Sequence, residues 1–247
     1  MELFYASPGN IDLDRSSLLI EGDEFHHMAN VLRKKSGELI VVTDGNGLRC
    51  EATIGSVGKR SLEAEITAHA HVDRPTTGVT VALSMLKAPQ RFELFLEKAT
   101  ELGVSSIIPM MTARTLAQPS SDRMQGRLKR WKTILLSAAR QSKRLYLPEL
   151  TEPMALKKVL ALSGFDLRLI PWEGSLLPPG VQYAGKKTIF LIGPEGGFSD
   201  VEVQSARAAG FSEISLGRTT LRAETAGIFA VAMVRGELLG EEQAAWL

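Results

Sequence analysis

The chain has little of what builds disulfide staples, metal cages or membrane spans. One cysteine, Cys50, among 247 residues excludes an internal disulfide framework and a cysteine-rich metal site. Histidines number only four: His26, His27, His69 and His71. His26 and His27 are neighbours and diverge by about 100° on a helix. His69 and His71 can share one face of a strand, yet no acid or cysteine stands near them at metal-ligand spacing. Two exposed strand-end histidines are the expectation, and no metal. Long apolar runs are missing too. The longest, Ala226 to Val234, has nine residues if Gly227 is counted, whereas a spanning helix needs roughly 20; no membrane partner is expected. Residues 1–14 lack a basic-then-apolar pattern, so a protein that stays in the cytoplasm is expected.

The net charge is also small, +1, but it is segregated along the chain. Residues 1–75 carry 8 Lys/Arg against 12 Asp/Glu, residues 76–150 carry 12 against 5, and residues 151–247 carry 9 against 11. The basic density peaks between Arg114 and Arg144, where nine cations face one acid, Asp122. Such a stretch in a near-neutral protein is either a solvated helix face or a polyanion footprint.

A length of 247 residues suits one large or two unequal domains, and the pattern changes near residue 75. Residues 1–74 read as strands: Leu39–Thr43 is an apolar run closed by the Asp44-Gly-Asn-Gly47 turn, and Arg49–Ile54 and Ser61–Thr67 alternate. One helix is predicted over Asp23–Lys34, with Asp23 as N-cap and Phe25, Met28 and Leu32 as its apolar stripe. Short strands, tight turns and one helix suggest a small β-barrel. After a linker at Val72–Gly78, residues 75–247 alternate between strand and helix, the mark of an α/β sheet. Strands are predicted at Val79–Leu86, Val104–Pro109, Asp166–Ile170, Thr188–Ile192 and Glu213–Leu216. Helices are predicted at Arg91–Leu102, Arg123–Lys143, Asp200–Ala209 and from Glu224 to Leu239. The stripe of the basic helix comprises Leu128, Trp131, Leu135 and Ala138.

Two segments carry chemistry. The strand Thr188–Ile192 runs into Gly193-Pro-Glu-Gly-Gly197, and ligands of open α/β sheets sit beyond the carboxyl ends of strands. The loop is neither GxGxxG nor GxxxxGK[ST], and Pro194 removes an N–H that a phosphate cradle would use. A tight ligand-free turn and a binding loop both remain open. The second segment, Leu216 to Ala226, is polar and leads into an apolar helix. Arg222 and Glu224 bracket the helix start, where they form either a local ion pair or a functional site.

The motifs acquire a common meaning in order. Lys98-Ala-Thr-Glu-Leu-Gly-Val104, Pro109 and Arg114 come first, then Arg130-Trp131, Ala139-Arg-Gln-Ser-Lys-Arg144 and Pro148-Glu149. Leu191-Ile-Gly-Pro-Glu-Gly-Gly-Phe-Ser199 and Leu216-Gly…Leu221-Arg-Ala-Glu-Thr-Ala226 follow. At this spacing they resemble the bacterial 16S rRNA uridine N3-methyltransferase family of the SPOUT class. His27-Met-Ala-Asn-Val-Leu-Arg33 with Gly37 resembles the signature of that family's PUA-like RNA-binding domain. The resemblance covers essentially the whole chain, with three departures. Arg140 stands where an acid is usual, Arg218-Thr-Thr-Leu-Arg222 replaces an Arg-Ile-Leu-Arg pattern, and Ala223 replaces a threonine.

The resemblance implies an α/β SPOUT domain with a C-terminal trefoil knot over 75–247, a PUA-like barrel over 1–74, and a homodimer. It implies S-adenosylmethionine as cofactor, held by Pro171, Trp172, Leu191, Ile192, Gly193, Glu195, Gly196, Gly197, Leu216, Gly217, Thr220 and Leu221. Leu191, Leu216 and Leu221 would cover the adenine faces. The partner implied is 16S rRNA of the small ribosomal subunit, contacted by Arg33, Arg114, Arg140 and Arg144. The chemistry is direct methyl transfer to a uracil imide nitrogen, without a covalent intermediate. Arg222 would stabilise the developing imide anion, and no general base is identifiable. Rival readings are a ribose 2′-O-methyltransferase, a non-catalytic RNA-binding assembly factor, and a nucleotide-phosphate enzyme using the Gly-rich loop. The missing loop lysine disfavours the last.

Overall fold

The computed structural model describes residues 2–115, 121–175 and 180–245. The chain divides into two compact units, Met1–Arg74 with Ala139–Leu147, and Pro75–Ala138 with Pro148–Leu247.

The first unit is built on strands β1 (Leu3–Tyr5), β2 (Ile11–Asp12), β3 (Ser17–Glu21), β4 (Leu39–Thr43), β5 (Leu48–Val57) and β6 (Ser61–His71). They form one sheet in the order β1-β4-β5-β6-β3-β2. Alternation sends one residue in two inward. Phe4, Leu18, Ile20, Ile40, Val42, Cys50, Ala52, Ile54, Leu62, Ala64 and Ile66 therefore share one core. Two register shifts between β5 and β6 add the local twist that curls a sheet around such a core. Burial also pushes the Cys50 thiol upward in pKa, which agrees with a structural rather than nucleophilic cysteine.

The helix expected over Asp23–Lys34 is shorter and different in kind. An α-helical turn, α1 (Gly22–His26), passes into a π-helical turn over His27–Val31, where the Leu32 N–H donates to the His27 carbonyl at 3.0 Å. Glu21, not Asp23, occupies the N-cap position, without a side-chain cap. The stripe still buries Phe25 and Met28.

Residues 139–147, assigned to the second domain by the sequence pattern, cluster with the first unit. Hydrogen bonds from the N–H groups of Gly47 and Leu147 to the carbonyls of Leu145 and Gly45 hold the segment. The Arg140 guanidinium also pairs with the buried Glu24 carboxylate. A segment so distant in sequence joins the unit through partners that no local pattern reveals.

The second unit carries β7 (Gly78–Ser84), β8 (Ser106–Met111), β9 (Glu149–Leu150), β10 (Met154–Ala155), β11 (Leu167–Pro171), β12 (Lys187–Ile192) and β13 (Ser212–Ile214). Every described pair is parallel, in the order β10-β8-β7-β12-β11-β13, with β9 beside β8. A parallel sheet needs cover on both faces, and the residues supply two cores. Val79, Val81, Leu83, Phe190 and Ile192 pack with residues of α2 (Pro89–Glu101), α3 (Ser121–Gln141) and α6 (Ala223–Ala245). Ala82, Ile108, Ile189 and Leu191 pack with residues of α4 (Leu156–Leu160) and α5 (Asp200–Ala208). The expected stripe of α3 is the one that turns inward: Trp131, Leu135 and Ala138 are buried and Leu128 is half-buried. Trp131 lies 4.5 Å, ring to ring, from Phe92 of α2.

Candidate active site

Because the sheet is parallel, the segments after β7, β12, β11 and β13, four adjacent strands, leave from the same edge. Ligands of open α/β sheets collect there. The segments after β11, β12 and β13, the start of α6 and Arg91 of α2 enclose a cleft of about 530 Å³, inside the roughly 300–1,000 Å³ range of small-ligand sites.

Of the residues singled out from the sequence, Pro171, Trp172, Ile192, Gly193, Glu195, Gly197, Leu216, Gly217, Thr220, Leu221 and Arg222 line this cleft. Leu191 does not. Alternation on β12 sends its side chain to the opposite face, where it is fully buried in the core with Ile189 and Ala82; it cannot cover a ring in the cleft. Gly196 lines a neighbouring cavity instead. The sequence reading missed Arg91, Glu173, Phe198, Arg218 and Thr219. Four of these adjoin predicted residues, so adjacency was the available signal. Arg91 sits in an amphipathic helix far along the chain and carried none.

The Gly-rich loop is held from both sides. Ser199 caps α5 in a reciprocal capping box with Glu202, and Glu202 also accepts the Ala113 N–H at 2.7 Å. The Arg114 guanidinium donates to the Gly196 carbonyl. Gly197 has φ +66°, which glycine adopts at no steric cost, and its N–H closes the turn on the Pro194 carbonyl at 2.8 Å.

In the second loop Gly217 has φ +116° with open space where a Cβ would stand. The Gly217→Ala variant therefore pays backbone strain alone, about 1–3 kcal/mol. A lower denaturant midpoint without loss of packing is the expected result. The N–H groups of Glu195, Gly196, Arg218, Thr219, Thr220 and Leu221 have no protein acceptor among the described residues. Polar backbone of this kind needs water or a ligand.

The charges are arranged unevenly. Glu224, at the start of α6, is 4% exposed. Arg91 Nε lies 3.7 Å from Glu224 Oε1, while Arg91 Nη1 lies 4.0 Å from Glu195 Oε1. The other Glu224 oxygen has no hydrogen-bond partner. Glu224 is thus committed to Arg91, and the pairing of Arg222 with Glu224 that their spacing left open does not form. Arg222 is exposed on the cleft wall with no ion pair among the described residues.

Of the four cations assigned to RNA from the sequence, Arg33 is exposed and has φ +55°. Arg114 clamps the Gly-rich loop. Arg140 is ion-paired with Glu24, a buried carboxylate that requires a cation. Arg144 is half-buried, and its N–H donates to the Ala139 carbonyl at 2.8 Å. His69 and His71 are exposed at the end of β6. No three metal-ligating side chains cluster among the described residues, and no described helix is long and apolar enough to cross a membrane.

Fold and site together define an α/β protein with an open cleft among its strand-end loops. A family model described as an RNA methyltransferase domain matches residues 73–235, and one described as an RNA methyltransferase PUA domain matches residues 20–67. The chain belongs to this RNA methyltransferase family. It is 32% identical over 224 residues to ribosomal RNA small subunit methyltransferase E of Synechocystis sp., covering 87% of this chain and 71% of that one. To the Mycobacterium bovis protein of the same name it is 31% identical over 223 residues, covering 87% and 85%. The crystal structure of ribosomal RNA small subunit methyltransferase E from Neisseria gonorrhoeae, bound to S-adenosylmethionine, superposes with a TM-score of 0.83. That structure shares 29% identity over 96% of this chain and 97% of the other. The α/β class and the PUA-type first unit implied by the sequence motifs are both present.

Proposed function

We propose that the protein is a methyltransferase that uses S-adenosylmethionine to methylate N3 of a uridine in 16S rRNA of the small ribosomal subunit. The observation that carries this reading is the cleft itself. Open backbone donors and apolar side chains line one wall, and Arg222, with no ion pair among the described residues, stands beside them. The residues fit the cofactor: N–H groups of Arg218–Leu221 suit an adenine edge and Leu216 and Leu221 its faces. Glu173 and Glu195 suit the ammonium of its amino-acid end. When bound, the cofactor supplies an electrophilic methyl on a sulfonium.

The chain's own residues then have separate tasks. The glycine loop, pinned by Arg114 and Glu202, fixes one wall, and Arg91 ties that loop to the start of α6 through Glu195 and Glu224. Such fixation matters because alignment of reacting atoms at ~3–3.5 Å supplies much of the rate. Arg222 presents positive charge where a uracil oxygen gains negative charge as N3 loses its proton. Solvent is the proton acceptor in this reading. N3 lies on the Watson–Crick edge, so the uridine enters unpaired or flipped from its stack.

The same reading includes a cytoplasmic homodimer and a trefoil knot. Exposed Leu94 on α2, and Phe229 and Leu239 on α6, support a covered face on the second unit. The insertion of β12 between β7 and β11, with α6 packed on β7 and β12, supports a threaded return of the chain. Sedimentation at micromolar concentration should give twice the chain mass, and a monomer would remove the dimer.

The test of function is transfer of labelled methyl to small ribosomal subunits that lack their native modification, followed by digestion to nucleosides. Label in 3-methyluridine is the expected result. Label in a 2′-O-methyl nucleoside would move the protein to ribose chemistry, and cofactor binding without any label would overturn the substrate.

A further inference from the structure

Beside the cofactor cleft lies a second cavity of about 650 Å³, lined by Lys87, Ala88, Arg91, Arg114, Glu195 and Gly196. Three of these are cations and one is an acid. The acid is already engaged: Glu195 Oε1 accepts the Lys87 backbone N–H at 3.2 Å and faces Arg91. The Lys87 ammonium, by contrast, is exposed and has no ion pair or hydrogen bond among the described residues. The cavity adjoins the start of α2, where Ala88 offers no side-chain cap and no acid occupies the first turn. The partial positive charge of that 13-residue helix adds to the cations. Arg91 and Glu195 line both cavities, so a group bound in one is adjacent to the contents of the other.

We propose that this second cavity is a phosphodiester subsite, in which Lys87 and Arg91 hold an RNA backbone phosphate flanking the uridine that enters the cleft. The proposal rests on the methyltransferase reading above. A nucleotide taken out of its stack turns about its own backbone, so its phosphates stay near the rim while the base goes inward. Cations there hold the backbone and position the base; a phosphate contact of this kind carries no sequence information. Lys87 serves as a point charge, whereas Arg91 shares its guanidinium between the subsite and the two carboxylates. The carboxylate of the cofactor's amino-acid end is another anion within the same chemistry, and the experiment separates the two.

The test uses the full-length protein with Lys87→Gln, a change to a side chain that the fold does not use. Binding of S-adenosylmethionine is measured by calorimetry without RNA. Binding of a fluorescent single-stranded RNA from the small-subunit sequence is measured by anisotropy at several salt concentrations. The expected result is unchanged cofactor affinity, RNA affinity lower by about threefold to tenfold, and a salt slope reduced by about 0.7. Lys87→Arg should restore the RNA affinity. Wild-type RNA affinity and slope in Lys87→Gln would overturn the subsite. A parallel loss of cofactor affinity without RNA would give the cavity to the cofactor carboxylate. Wild-type protein that binds RNA but transfers no methyl would overturn the methyltransferase reading, and the binding comparison would still decide the subsite.

Discussion

Replacing Arg222 by alanine is expected to lower the methyl-transfer rate constant by about 10²–10³-fold while changing the KM for the cofactor only a few-fold. The asymmetry follows from the structure. Arg222 lines the cleft yet has no ion pair among the described residues, so truncation leaves no protein carboxylate orphaned. Its charge acts mainly when the uracil imide becomes an anion, and an interaction made only at that stage affects kcat rather than ground-state binding. The pH profile gives a second readout. A cation beside the imide eases its deprotonation, so removing the cation should move the rise of kcat to higher pH. Arg222→Lys should recover part of the rate, since the charge remains but the planar fork is lost. Full activity in the alanine variant would remove Arg222 from the reaction and leave the reaction class untouched.

Arg140→Ala should destabilise the first unit by about 2–3 kcal/mol, near the lower end of the cost of breaking a buried ion pair. The Glu24 side chain is 8% exposed and that of Arg140 23%. Losing the guanidinium therefore strands a carboxylate in a mostly dry site, where water reaches only the arginine side. Glu24 also accepts the Tyr5 N–H at 3.0 Å, so the carboxylate cannot simply turn to solvent without giving up that bond. In a Glu24→Gln background the same Arg140→Ala change should cost much less, because the stranded charge is gone and the amide oxygen can keep Tyr5. Chemical denaturation followed by a probe in the first unit measures both. Weaker RNA binding at unchanged stability would show instead that Arg140 serves the substrate.

The parts of the fold that were legible in the sequence are those governed by local periodicity. Leu39–Thr43 is an apolar run and forms β4 with the same bounds. Trp131, Leu135 and Ala138 recur at helical spacing and are buried. A helix was expected over Asp200–Ala209, and α5 spans Asp200–Ala208. The Gly-rich loop was visible because glycine in sequence reports backbone freedom directly. Where several conformations share one pattern, the reading failed. Phe25, Met28 and Leu32 fit an α-helix, but the chain takes an α-turn followed by a π-turn, since burying that stripe on a curled sheet outweighed regular geometry. The two-residue strands β9 and β10 carry no period at all.

The candidate site divides the same way. Ten of the twelve residues taken for cofactor contacts line the cleft, because they lie on loops that the strand pattern places at one sheet edge. Leu191 failed because the face a strand residue takes depends on what covers each side, and β12 is buried on both. The ion pair of Arg140 was not legible because its partner, Glu24, is 116 residues away.

By itself the sequence determined the α/β alternation, the two loops that line the cleft, and the family. All of these are encoded in short-range spacing and residue type. Only the tertiary structure decided which cations are free. Glu224 took Arg91 rather than Arg222, Glu24 took Arg140, and Gly196 took Arg114, leaving Arg222 in the cleft and Lys87 beside it. Ion pairing depends on distances of a few ångströms between segments far apart in the chain, and no local pattern records those distances.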